Sequence, residues 1–129
     1  MRSRRCKRVA FWLGAILLIA PLAASPAFSH AFLQRANPPV GGTVSGSPSE
    51  LSITFTEGVE PLFSSIEIRD SHNTRLDLGK PQAAPGDARK LIVHLPKLQP
   101  DTYTVVWHVT SVDTHKTEGR FDFTVAPRP

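Results

Sequence analysis

The segment TYTVVWHVT, residues 102–110, is the strongest indicator of the fold class, because large apolar side chains occupy every second position. Side chains of a β-strand alternate between the two faces of a sheet, so one face of this segment is predicted to point into a core. The side chains on that face are Tyr103, Val105, Trp107 and Val109. His108 is predicted to lie on the opposite, outer surface of the sheet.

Shorter segments with the same alternation flank this strand along the chain, and no segment shows a convincing helical repeat. They cover residues 31–36, 51–55, 63–70, 75–78, 90–95 and 120–125. Stretches rich in Gly, Pro and Ser separate them, and residues 40–50 and 79–87 are predicted to be loops. Six or seven short strands with Pro/Gly turns predict an all-β fold, a small antiparallel sandwich or barrel.

Residues 1–29 are predicted to be a cleaved secretory signal peptide. Five positive charges and no negative charge precede an apolar run over residues 9–24, and Ala27 and Ser29 supply small residues at −3 and −1 of the cleavage site. A membrane-anchoring helix is the alternative, but Pro21 breaks a run that is already short for a span of ~20 residues. We therefore expect export, and a mature domain over residues 30–129 with no membrane span.

The charge balance of the mature domain argues against nucleic-acid binding. The whole chain has 15 Lys and Arg against 11 Asp and Glu, but five of the basic residues belong to the signal peptide. The mature domain is therefore close to neutral and lacks the excess positive charge that favours binding to nucleic acid. It is long enough for one domain, which we expect to be a monomer.

Three residues point to a metal site. Asp113 and His115 are two positions apart, so on an extended segment an oxygen and a nitrogen face the same side. Cleavage after Ser29 makes His30 the first residue, whose free amine and imidazole can chelate one metal ion, and Cu(II) competes well for such nitrogens. The alternatives are an Asx turn with an exposed histidine at 113–115 and a frayed terminal residue at His30.

Three motifs together resemble the CopC family of periplasmic copper-binding, copper-resistance proteins. The first is His30-Ala31-Phe32-Leu33 followed by Asn37-Pro38-Pro39, the second is FTEGVE over residues 55–60, and the third is YTVVW at 103–107 followed by SVDTH at 111–115. The resemblance implies a cupredoxin-like or immunoglobulin-like Greek-key β-barrel with a Cu(II) site at one end.

The same resemblance implies the ligands of one Cu(II) ion per domain. They are the amine and imidazole of His30, the carboxylate of Asp113 and the imidazole of His115, while Glu57 matches a family position that serves as an outer-shell partner or an occasional ligand. Some family members bind Cu(I) through a methionine-rich segment. Residues 30–129 contain no Met and no Cys, so no thioether Cu(I) site is expected.

The function implied is a periplasmic protein, not an enzyme, that sequesters Cu(II) or delivers it to a membrane partner such as a CopD-like inner-membrane copper transporter. One alternative is a copper-dependent polysaccharide monooxygenase, in which a terminal histidine and a second histidine form a histidine-brace site. Asp113 as an added ligand would hinder oxygen activation there. The other alternative is a metal-free immunoglobulin-like interaction module, which predicts no copper binding.

Overall fold

The computed structural model describes residues 31–129, so the predicted signal peptide and His30 lie outside the described residues. This part of the chain contains eight β-strands, a single 3₁₀ turn at Pro61–Phe63 and no α-helix, which confirms the all-β prediction. The strands are β1 (Leu33–Asn37), β2 (Thr43–Ser45), β3 (Glu50–Phe55), β4 (Ser65–Arg69), β5 (Leu78–Ala84), β6 (Asp87–His94), β7 (Asp101–Thr110) and β8 (Lys116–Ala126).

The strands form two four-stranded sheets, in the orders β1-β3-β6-β5 and β2-β8-β7-β4. Every pairing is antiparallel except that of β2, which runs parallel to the end of β8. Within residues 31–129, only the β5–β6 and β7–β8 connections join neighbouring strands, and the others cross between the sheets. Such crossing connections are typical of an immunoglobulin-like Greek-key sandwich.

The hydrophobic core lies between the two sheets, and β7 contributes most clearly to it. The four side chains predicted to face the core from this strand are at most 6% exposed, whereas His108 on the other face is exposed. The Phe55 ring meets the Trp107 ring edge to face, with centroids 5.3 Å apart, and so ties the two sheets together. Burial of each large apolar side chain stabilises the fold by roughly 1.5–3 kcal/mol.

Two strands lie where the sequence predicted loops. β5 occupies most of the predicted loop 79–87 and contains Pro81. It is an edge strand, paired only with β6, and an edge position tolerates a residue that lacks an N–H donor. β2 lies within the predicted loop 40–50 and is only three residues long, too short for a recognisable alternation.

The β7–β8 hairpin carries the candidate site and is the longest pairing in the described part of the chain. Its register runs from Asp101 opposite Val125 to Thr110 opposite Lys116. Gly119 lies opposite Trp107, where a Cβ atom would come within 2.5 Å of the indole Cζ2. The absence of a side chain at this position therefore leaves room for the indole beside β8.

Candidate metal centre

The five residues Ser111 to His115 close the hairpin in a tight turn. The N–H of Ser111 donates to the carbonyl of His115 over 2.9 Å, and the N–H of Thr114 donates to the carbonyl of Ser111 over 2.9 Å. Thr114 has a φ of 72°, in the left-handed region that turns favour and that costs a β-branched residue energy. The turn replaces the extended segment that was predicted around Asp113 and His115.

The turn nevertheless brings the carboxylate and the imidazole together. Asp113 Oδ2 lies 3.3 Å from His115 Nδ1, and the His115 side chain is one-third exposed although Nδ1 itself is shielded from solvent. When Nδ1 carries the lone pair of the imidazole, this atom and Asp113 Oδ2 are close enough to act as neighbouring ligands of one metal ion. An imidazole held in this way suits Cu, Zn or Ni.

The hydroxyl of Ser111 is the internal support of the turn. Ser111 is 1% exposed, its Oγ donates to Asp113 Oδ1, and the same Oγ accepts the backbone N–H of His115 over 3.2 Å. The Ser111 hydrogen bond lowers the pKa of Asp113, against a smaller opposing effect of desolvation and with further help from His115. The carboxylate is therefore ionised at neutral pH.

A second segment, residues 57–60, runs beside the turn. Val59 forms an antiparallel bridge with Ser111, the N–H of Val112 donates to the carbonyl of Gly58 over 3.0 Å, and the N–H of Glu60 donates to the carbonyl of Thr110 over 2.8 Å. Glu57 is half-buried at the start of this segment. The structure therefore brings the segment that begins at Glu57 next to the turn of Asp113 and His115.

The beginning of the described chain is fixed at the same end of the sandwich. Ala31 is fully buried, and its carbonyl accepts the hydroxyl of Thr117 over 2.6 Å. The N–H of Phe32 donates to Thr56 Oγ1 over 3.0 Å, and the N–H of Thr56 donates to the carbonyl of Phe32 over 2.9 Å. Thr56 precedes Glu57, and Thr117 lies two residues after His115. The predicted ligand His30 lies outside the described residues.

The sequence singled out neither Ser111 nor the two threonines that hold the chain start. For Ser111 a local signal exists, since serine side chains often form hydrogen bonds with nearby backbone groups in turns, as the Ser111 Oγ does with the N–H of His115. Thr117 bonds a residue 86 positions away, so only the folded arrangement shows its role.

The remaining histidines of the described chain lie away from this turn. His108 is exposed on the outer face of β7, where its Nε2 lies 3.0 Å from Glu118 Oε2, and His72 and His94 are exposed. Within residues 31–129, no group of three or more His, Cys, Asp or Glu residues is arranged to hold a metal ion. The helical part of residues 31–129 includes no segment that is long and apolar enough to span a membrane.

Comparison with known families identifies the class of protein. The sequence model of the CopC domain matches residues 33–126, and the chain belongs to the CopC family. A solved relative, CopC from Methylosinus trichosporium OB3b, is 35% identical, with a TM-score of 0.73 over 78% of this chain and 97% of that chain. PcoC from Escherichia coli, a methionine-rich copper resistance protein, has a TM-score of 0.68 over 76% of this chain and all of that chain, at 23% identity, and shares the fold.

Curated relatives extend the comparison. Protein YobA of Escherichia coli K12 is 36% identical over 110 residues, which cover 84% of this chain and 89% of that protein. Copper resistance protein C of Xanthomonas campestris pv. juglandis is 33% identical and covers 85% and 91% of the two chains. Copper transport protein CutJ of Bacillus subtilis is 28% identical over 92% of this chain but only 22% of its own length. These relatives support a copper-related function.

Proposed function

We propose that this chain is a periplasmic Cu(II)-binding protein that holds one ion at the end of the sandwich formed by the β7–β8 turn. The ligands in this proposal are the amine and imidazole of His30, the carboxylate of Asp113 and the imidazole of His115. The ion is cargo, sequestered or passed on, and the site performs no catalytic turnover.

The observation that carries the proposal is the anchoring of the chain directly after His30. The carbonyl of Ala31 is bonded by Thr117, two residues beyond His115, and Phe32 is bonded by Thr56, one residue before Glu57. The fully buried Ala31, to which His30 is covalently joined, is therefore held beside the hairpin turn. This supports a chelate in which the terminal residue shares one metal ion with the hairpin turn.

The chemistry of this donor set favours Cu(II). Three nitrogens and one carboxylate oxygen suit the tetragonal geometry of that ion, and the low pKa of Asp113 keeps the oxygen donor charged. Asp113 as a fourth ligand also fills a position that oxygen activation would need, which supports binding without turnover. Glu57 is proposed to act from the adjoining segment, either as a hydrogen-bond acceptor for a ligand N–H or as a ligand itself.

Exposed apolar side chains near the same end support delivery to a protein partner. Five large hydrophobic residues are exposed within residues 31–129, and four belong to segments joined to the turn or to the chain start: Phe32 (58% exposed), Leu62 (83%), Phe63 (73%) and Val112 (57%). Exposed apolar groups that cluster are typical of protein interaction sites. In CutJ the matching region is about a fifth of a longer protein that is named for copper transport. We propose a CopD-like inner-membrane copper transporter as the partner.

The binding proposal is tested by titrating the mature protein with Cu(II) and recording electron paramagnetic resonance spectra. Asp113→Asn is expected to lower the affinity about tenfold or more and to alter the spectrum, because a charged oxygen donor is lost. Asp122→Asn is the matched control, since that carboxylate is also exposed and also accepts a hydroxyl, from Thr104 over 2.8 Å. Equal affinities for the two variants would remove Asp113 from the site.

The delivery proposal requires a separate experiment. The double variant Leu62→Ser/Phe63→Ser is expected to bind Cu(II) normally but to lose copper-dependent association with a co-expressed CopD-like transporter. Val40→Ser is the control, since Val40 is 54% exposed in a segment that bonds Asp122 rather than the turn. If the double variant associates normally with the transporter, these apolar side chains are not needed for delivery.

A further inference from the structure

A row of two cations and a hydroxyl crosses the outer face of the first sheet. Arg35 on β1 lies opposite Thr54 on β3, and Thr54 lies opposite Lys90 on β6. Directly opposed residues of antiparallel strands have their Cβ atoms roughly 4.5–5.5 Å apart. The two long basic side chains therefore start on either side of the Thr54 hydroxyl, on the face that points away from the core.

The hydroxyl groups between these cations open onto a surface depression and have no hydrogen-bond partner within residues 31–129. Thr54 is 6% exposed and Ser52, two residues earlier on the same face, is 7% exposed. Neither hydroxyl forms a hydrogen bond with another residue of the described chain, and neither oxygen is enclosed, so both are accessible to solvent from outside. Both line one surface depression of about 430 Å³ together with Arg35 and Lys90.

The charge around this depression is positive. Neither Arg35 nor Lys90 forms an ion pair with any carboxylate of residues 31–129. The carboxylate of Asp87 lines a second depression, of about 450 Å³, that shares Arg35 and Thr54 with the first. It is already engaged by its neighbour Arg89, at 3.6 Å from Nε and with a backbone hydrogen bond of 3.0 Å. Two cations thus remain uncompensated beside two unbonded hydroxyls.

We propose that this depression is a binding site for a phosphate group. A guanidinium, an ammonium and hydroxyl donors are the groups that proteins use to bind phosphate oxygens, and charge-assisted hydrogen bonds of this type are stronger than neutral ones. The phosphate comes either from free inorganic phosphate or from the phosphodiester of an anionic lipid headgroup. The site lies on a sheet face rather than in the hairpin turn, and it does not depend on the proposed copper function.

The test uses the metal-free mature protein, inorganic phosphate and lipid vesicles. Phosphate is expected to cause saturable shifts of the backbone amide signals of residues 35, 54 and 90 in NMR spectra. The double variant Arg35→Gln/Lys90→Gln is expected to lower the affinity about tenfold. Thr54→Val keeps the charges and the branched shape, and the loss of the hydroxyl is expected to lower the affinity about fivefold. Lys97→Gln, an exposed lysine elsewhere on the surface, is expected to change nothing.

The two sources of phosphate are separated by sedimentation with vesicles of phosphatidylcholine, with and without phosphatidylglycerol. The site is assigned to a lipid headgroup when the protein binds the phosphatidylglycerol vesicles, inorganic phosphate competes with this binding, and the double variant no longer binds. Phosphate binding without vesicle binding assigns it to the free ion. The proposal is overturned when neither probe binds, or when Thr54→Val binds phosphate as well as the unaltered protein does.

Discussion

Substitution of Ser111 by Ala tests whether the hairpin turn is preorganised for a metal ion. The substitution removes one oxygen atom from a side chain that is 1% exposed and leaves the size of the core unchanged. That oxygen donates to the Asp113 carboxylate and accepts the N–H of His115. Both residues proposed to bind copper through the turn therefore lose a partner in a single change.

The expected cost follows from these bonds. A lost hydrogen bond together with a poorly solvated N–H costs about 1–3 kcal/mol, so the free energy of unfolding is expected to fall by about 2 kcal/mol. For a domain of this size that lowers Tm by about 10 °C. Cu(II) affinity is expected to fall about tenfold, since Asp113 and His115 must then be ordered when the ion binds.

The direction in which pH changes the stability loss of this variant can also be predicted. In the folded protein the pKa of Asp113 is lowered, chiefly by Ser111. The stability from this carboxylate is therefore present above its unfolded-state pKa of ~3.9 and is lost as the pH falls through the lower folded-state pKa. The stability difference between the unaltered protein and Ser111→Ala is expected to be largest near neutral pH and to shrink in acid.

Thermal unfolding and Cu(II) titration of Ser111→Ala, each repeated across pH, are the assays. Ser71→Ala is the control, because Ser71 also donates its hydroxyl to a carboxylate, Asp101 Oδ2 at 2.7 Å, but in an exposed turn outside the candidate site. The control is expected to lose less than about 1 kcal/mol and no copper affinity. Unchanged copper affinity in Ser111→Ala would refute the preorganisation of the turn.

Three further predictions concern the ligand, the pH range and the packing behind the turn. His115→Ala is expected to weaken Cu(II) binding about a hundredfold in a competitive titration, whereas the exposed His72→Ala is expected to bind normally. Affinity is expected to decrease as the pH falls through ~6, because nitrogen ligands must be unprotonated, and a constant affinity between ~5 and ~8 would contradict nitrogen ligation. Gly119→Ala is expected to destabilise the fold by about 2 kcal/mol, measured by urea unfolding, since its Cβ would lie 2.5 Å from Trp107. If this variant is as stable as the unaltered protein, the indole can shift freely.

The strands that the sequence predicted well are those with one buried face. In β6, β7 and β8 the alternation of apolar and polar residues reflects the two sides of a sheet, because only the side that faces the core requires apolar residues. β3 has the same alternation, although its polar residues Ser52 and Thr54 are also little exposed. β5 has no such alternation, and its edge position imposes none. β2 exists because its backbone meets the end of β8, a partner more than 70 residues later in the chain. Neither pairing leaves a local signal in the sequence.

The candidate site was likewise predictable from the sequence only in part. The closeness of Asp113 and His115 was predictable from their spacing, although the backbone between them forms a turn with a left-handed Thr114 rather than a strand. Glu57 was placed by family resemblance, and the bridge between Val59 and Ser111 now gives its segment a physical position. The bonds that hold the chain start link residues 24 and 86 positions apart. Such contacts depend on the packed fold and cannot be read from composition or periodicity.

The decisive measurement is a Cu(II) titration, followed by electron paramagnetic resonance, of two purified forms of the mature protein. One form begins at His30, and the other carries a single additional residue before it. We predict tight one-to-one binding with nitrogen couplings in the first form and strongly weakened binding in the second, because the extra residue removes the free amine from His30. Equal binding by the two forms would contradict the terminal chelate and assign the copper to other histidines of the chain.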